Sequence, residues 1–342
     1  YTHSENLADL LSQLRITLLI STYQAGKVVV VGVHDDQLAF SFHTFQQPMG
    51  IAVSPGRLAV GTKQQVVFLP RAEMLGPQIA PAGRFDACYL SRLAHITGPI
   101  HIHELAWGAD ELWFVNTLFS CLCTIDRDSS FVPRWKPPFI SSLADEDRCH
   151  LNSVALQRGQ PRYVTALAES DTAAGWREHK ATGGCIIDVP SGEICARGLS
   201  MPHSIRTHED RVWFLNSGFG QLSTLDPKTG GVEGVFNFQG YTRGLAMYGP
   251  FAFVGQSRVR ETNIFGGLEI GKRHDELECG ISIVDLRSGR RAGHLVFETG
   301  VEEIFDVQIL QGVKFPAIIG PNSESDDEQR PIWLSATPQW LT

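Results

Sequence analysis

The phrase LWFVN at 112–116 returns as VWFLN at 212–216, an offset of 100 residues. Self-similarity of this kind constrains a chain more than local propensity does, because each copy must bury its apolar face against a neighbouring copy. The same offset lays His203 on His103. AFVGQ at 252–256 is a further copy and lays Arg243 on His203. HLNSVAL at 150–156 adds Asn152, PMGIAV at 48–53 adds Met49, and EIFDVQIL at 303–310 adds Phe305. Each copy reads as a short apolar strand, a tight polar turn and a second strand of β-branched or aromatic residues. A third strand often follows and ends in an Asp-led turn: CTIDRD, CIIDVPSG, STLDPKTG, SIVDLRSG. Such turns are hairpin chemistry, and the alternation has period 2 rather than 3.6.

Units of roughly 40–50 residues with about four strands each are the signature of a β-propeller. The expectation is therefore an all-β chain forming a six-bladed β-propeller closed by its N-terminal strands. The block TLLIST, KVVVVGV, LAFSFHTF lacks an inner strand, and EIFDVQIL supplies one, which closes the ring and removes its edges. Seven blades remain open if PAIIG and TLLIST belong to separate blades. The chain 1–342 reads as one domain. A helix lies within 1–14 with Ser4 as its N-cap, closing strands occupy 15–47, blades run over 48–320, and an acidic tail spans 321–342.

Composition narrows the function classes. The net charge is −8 and no Lys/Arg run exists, which argues against an electrostatic grip on nucleic acid. The apolar segments are strand-sized, so no membrane span is expected. Seven scattered cysteines without a CxxC pair suit free thiols in a reducing compartment, and the expected location is the cytoplasm.

The phrases TLLISTYQAGK, FHTFQQPMGIAV, GWREHKATGG, SRVRETNIFGGLEI and FDVQIL resemble a bacterial family of conserved hypothetical proteins. Some members of that family are attached to tetratricopeptide repeats. The resemblance runs along nearly the whole chain and implies a propeller with possible linked or partner domains. It supplies no reaction and no catalytic residues, so function has to be argued from the site.

In a propeller the inner strands all start at one face and line one channel. Met49, His103, Asn152, His203, Arg243 and Phe305 are then neighbours around one mouth. Two positions earlier lie Gln47, His101, His150, Met201, Tyr241 and Glu303. His101, His103, His150 and His203 are the candidate metal ligands; neutral imidazoles suit iron or copper, with zinc possible. The remaining histidines read as turn, loop or surface groups. Glu104, Asn152 and Arg243 are the candidate catalytic groups, with Arg243 anchoring a carboxylate and Asn152 orienting substrate or water. Two connections, 168–184 and 256–280, are long enough to be lids over this mouth. They carry Trp176, Arg177, Arg258 and Glu261, and with Asn116 and Asn216 these are the candidate substrate contacts.

GxSxG, the P-loop, HExxH and a strand-linked GxGxxG are all absent from the sequence. The reading that follows is a metal-dependent oxidase or hydroxylase acting on a peptide or small anionic substrate. A metal-assisted lyase or hydrolase is one alternative. A non-catalytic module that binds a peptide or partner protein is the other.

Overall fold

A computed structural model describes residues 1–72, 74–109, 111–258 and 266–322. Among these residues the strands assemble into six four-stranded blades. Blade 1 is Ile51–Ser54, Arg57–Gly61, Gln65–Pro70 and Leu93–Ile96. Blade 2 is Ile102–Trp107, Leu112–Asn116, Cys121–Thr124 and Val132–Trp135. Blade 3 is Leu151–Gln157, Gln160–Ala166, Gly184–Asp188 and Ile194–Leu199. Blade 4 is Pro202–His208, Arg211–Asn216, Gln221–Asp226 and Gly231–Asn237. Blade 5 is Tyr241–Tyr248, Phe251–Ser257, Gly280–Asp285 and Arg290–Val296.

Blade 6 closes the ring as expected. Its inner strand, Asp306–Gln311, comes from the far end of the chain and pairs with Ile16–Ser21, followed by Lys27–His34 and Gln37–Thr44. PAIIG does not open a seventh blade. Pro316–Ile319 instead pairs in parallel with Ala87–Leu90, outside the ring.

The core is divided into wedges between adjacent blades. Leu19, Val28 and Val30 face Ile51, Leu58 and Val60 of blade 1, while Leu18, Ile20, Val29 and Val31 face Phe253, Ile281 and Ile283 of blade 5. A strand buried on both faces needs apolar residues at every position, which is why KVVVVGV is a continuous run. The Asp-led turns are held by their own side chains. Asp226 accepts from the Lys228 amide at 2.9 Å, Asp285 from the Arg287 amide at 3.0 Å, and Asp126 from the Ser129 amide at 2.6 Å.

The N-terminal helix is shorter than expected, Leu7–Leu14, and Ser4 does not cap it. Ser4 Oγ accepts from the His294 amide at 3.1 Å, because residues Thr2–His3 add a fifth strand to the outer edge of blade 5. His43, expected at the surface, is buried and bonds Ser41 Oγ at 2.8 Å. All seven cysteines are free thiols. No helix among the described residues is long and apolar enough to cross a membrane.

Candidate functional site

The mouth where the inner strands begin collects most of the side chains that the repeat register assigns to it. His103 and His150 meet edge to face with ring centroids 4.7 Å apart. Phe305 lies 5.2 Å from the His103 ring and 5.6 Å from Tyr23. The Arg243 guanidinium sits 3.3 Å from the Phe305 ring centroid and pairs with Glu303 at 3.3 Å. His203 packs against Tyr241 at 5.9 Å.

The hydrogen bonds fix which nitrogen of each ring carries the proton. Thr117 Oγ1 donates to the Leu151 carbonyl at 2.6 Å, so towards His103 Nδ1, at 2.9 Å, it accepts. His203 Nδ1 lies 2.8 Å from the Met201 carbonyl, which can only accept. His150 Nδ1 lies 2.9 Å and 3.0 Å from the two carboxylate oxygens of Asp147. All three rings therefore hold N–H at Nδ1. Asp147 is itself held by the Trp176 indole N–H at 2.9 Å, and Trp176 packs on His150 at 4.4 Å.

Electrostatics keep two of these imidazoles neutral. Burial holds His103 and His203 well below their ordinary pKa, and the Arg243 charge pushes both the same way. Burial raises Glu303 against the pull of Arg243, and it raises Tyr241.

Described residues of both long connections pack on this mouth. Trp176 from 167–183 and Leu268 and Ile270 from the second loop share one apolar cluster with Met201 and Tyr241 of the rim. Arg177 stacks on Trp176 from outside at 5.7 Å. Arg258 does not reach towards a substrate; its guanidinium donates to the carbonyls of Phe297 at 2.7 Å and Glu298 at 3.0 Å. Glu261 lies outside the described residues.

Four other expected residues take structural places. Asn152 is buried and donates to the Pro202 carbonyl at 3.0 Å, tying blade 3 to blade 4 instead of facing the mouth. One register shift in blade 3 falls between Leu151 and Ser153, at Asn152 itself, and a bulge re-aims the side chain it contains. Asn116 Oδ1 accepts from the Phe119 amide at 3.1 Å, and Asn216 Oδ1 from the Ser200 amide at 2.9 Å, so both hold connections between strands and blades. Glu104 turns away from the histidines to pair with Arg206 of blade 4, with Asp306 of blade 6 beside them. His101 is exposed; its carbonyl, rather than its ring, faces His103 Nδ1 at 3.3 Å.

Asp147, Thr117 and Tyr23 belong to the site and were not singled out from the sequence as its contributors, whereas Tyr241 was placed at its rim. The repeat offers a signal for Thr117, since the offset of 100 places it on Ser217, whose Oγ lies 3.2 Å from His203 Nδ1. Asp147 has no counterpart of that kind.

With this geometry in view, the comparisons with known proteins can be placed. A family model described as "Domain of unknown function (DUF4915)" matches residues 5–319. The chain belongs to this family. No curated protein matches it. Among solved structures it resembles a chain of the "Crystal structure of Nidogen/Laminin Complex". The TM-score is 0.52 at 10% identity, covering 87% of this chain and 99% of that one. At that identity the likeness shows the propeller fold alone. A propeller of a family without established function is what the sequence led one to expect, and to that extent the expectation is met.

Proposed function

We propose that the histidine mouth is a transition-metal centre, with iron or copper held by His103, His150 and His203, and that the protein is an oxidase or hydroxylase. One observation carries this reading: all three imidazoles spend Nδ1–H on a fixed acceptor. A ligating histidine ordinarily donates its other N–H to a carboxylate or carbonyl, which fixes ring orientation and tautomer. Asp147 behind His150 and the Met201 carbonyl behind His203 fit that role. Among the described residues no group of three or more His, Cys, Asp or Glu side chains is placed to hold a metal ion as the structure stands.

The metal would supply the redox chemistry, and three protein ligands would leave positions open for O₂ or substrate. Arg243, stacked on Phe305, anchors a substrate carboxylate, and the Trp176 loop excludes water. An oxidation in which the substrate passes two electrons and two protons to O₂, giving H₂O₂, balances without a further reductant. A hydroxylation needs an external two-electron donor, and a metal-assisted lyase or hydrolytic step needs none.

The test is elemental analysis of protein purified without a histidine tag and then titrated with Fe(II), Cu(II) and Zn(II). One equivalent bound per chain and lost in His203→Ala supports the reading. Failure to retain any of the three metals refutes it. The rival reading is a module that captures a peptide or partner protein without chemistry, and the propeller's likeness to a chain of a protein–protein complex favours it. That module would bind its partner equally well in metal-free buffer.

A further inference from the structure

The inner strands that begin at the histidine mouth end at a second one, and that end is also concave. A cavity of about 390 Å³ is lined by the ends of these strands, among them Ser54, His208 and Met247, together with Arg71 and Arg206. A second hollow of about 230 Å³ adjoins it, sharing Val53, Arg206, Thr207 and Gln308 and adding Trp107. Together they form a vestibule in the size range of small-molecule sites, which is about 300–1,000 Å³.

The polar atoms around this vestibule are unbalanced in one direction. Arg71 Nε, Arg206 Nη2 and Trp107 Nε1 are each buried without a hydrogen-bond partner among the described residues. All three are donors. Neighbouring acceptors are already engaged. Glu104 takes Arg206 Nη1 and the Val154 amide, and Asp306 takes the Ile51 amide at 2.8 Å and the Val307 amide at 2.8 Å. Arg206 Nη2 stands 3.8 Å from Asp306 Oδ1, beyond hydrogen-bond reach. Arg206 itself is pinned by its Nε, which donates to the Leu245 carbonyl at 2.9 Å, so it cannot swing away to find water. Buried unpaired donors are costly, and native folds keep few of them without a purpose.

We infer that this vestibule is a second binding site, separate from the histidine mouth, for a small molecule carrying a carboxylate or phosphate group. An oxyanion offers several lone pairs in one place, which suits the unpaired donors of Arg71 and Arg206 on the lining of the first hollow and of Trp107 and Arg206 on that of the second, and guanidinium groups match its geometry. The Glu104–Arg206–Asp306 cluster ties blades 2, 4 and 6 across the channel and forms the inner wall of the site.

The experiment is isothermal titration of the full chain with inorganic phosphate and, separately, with succinate. Saturable binding of either is expected, weakened about tenfold or more in Arg71→Gln. Trp107→Phe, which removes one N–H and keeps the ring, is expected to weaken it to a lesser degree. His103→Ala is expected to leave it unchanged, which separates this site from the metal reading. Phosphate binding without succinate binding, or the reverse, identifies the source of the oxyanion. The inference is overturned if neither probe binds saturably at millimolar concentration, or if binding persists undiminished in both Arg71→Gln and Trp107→Phe.

Discussion

His150 meets His103 edge-on across the seam between blades 3 and 2, their ring centroids 4.7 Å apart and their planes at 86°. The two side chains come from the start of neighbouring inner strands, and each has its Nδ1 turned to an acceptor. Removing either imidazole therefore takes a candidate ligand from the mouth and leaves the blades intact. His103→Ala and His203→Ala are expected to lower metal retention at least tenfold while the far-ultraviolet circular dichroism stays unchanged. Loss of the β signal in these variants would assign the rings a structural role.

Asp147 acts through His150. It accepts from both His150 Nδ1 and Trp176 Nε1, so Asp147→Asn replaces one acceptor oxygen with a donor and frees the ring to adopt either tautomer. The expected result is a 10–100-fold fall in metal affinity, as for other partners behind a ligand. Titration with Cu(II), followed by its visible absorption, measures it. His150→Ala combined with Asp147→Asn is expected to be no worse than His150→Ala alone.

Glu104 predicts a pH dependence of stability. Burial pushes its carboxyl from 4.5 up to about 8, against the pull of Arg206. A carboxyl that holds its proton more tightly when folded contributes most below 4.5, and that contribution is lost as pH rises through about 8. His103 and His203 act with the opposite sign: kept neutral by burial, they contribute above 6.5 and lose that contribution as pH falls below it. Urea unfolding across pH is expected to show stability declining from pH 6.5 to 8, and Glu104→Gln is expected to flatten that limb and to remove the same downward slope from the interval between 4.5 and 6.5. An unchanged alkaline slope in the variant would contradict the assignment.

Gly50 marks a close approach of blades 1 and 2 beside the site. A Cβ there would lie 2.7 Å from Glu104 Cα and 2.9 Å from the His103 carbonyl oxygen, both backbone atoms that cannot step aside. Gly50→Ala is expected to cost about 1–3 kcal/mol in chemical denaturation, the usual range for overpacking. It is also expected to weaken metal retention, because the strand that carries His103 must shift.

Asn152→Ala separates structure from chemistry. The side chain ties Thr165 to the Pro202 carbonyl between two blades, so its loss leaves buried polar groups unpaired at a cost of about 1–3 kcal/mol. Metal stoichiometry is expected to remain that of the wild type. A variant of normal stability that fails to bind metal would return Asn152 to the mouth.

Much of the architecture could be read from residues alone. The LWFVN and VWFLN copies, the Asp-led turns and the orphaned N-terminal strands together pointed to six blades, with seven left open, and to the order of strands and the closure through EIFDVQIL. They also specified which end of the channel would gather His103, His203, Arg243 and Phe305, because strand direction and repeat offset are properties of the chain itself. The two long connections and their shared face were equally legible, and Trp176 does lie over the mouth.

Only the folded molecule decided where each of those side chains points. Period-2 reasoning put Asn152 at the mouth and His150 at the rim, yet the bulge at Asn152 turns it into the wall, and His150, with φ of +51°, swings in beside His103. Asp147, also in the left-handed region at φ +47°, reaches His150 from a connecting loop that carries no repeat signal. Glu104 found Arg206 rather than a histidine because those residues, a hundred positions apart, face each other across a closed ring. Turn chemistry and apolar alternation are local, and they suffice to specify strands and blades. The aim of a polar side chain depends on bulges and on what the neighbouring blade presents, which exist only once the ring has closed.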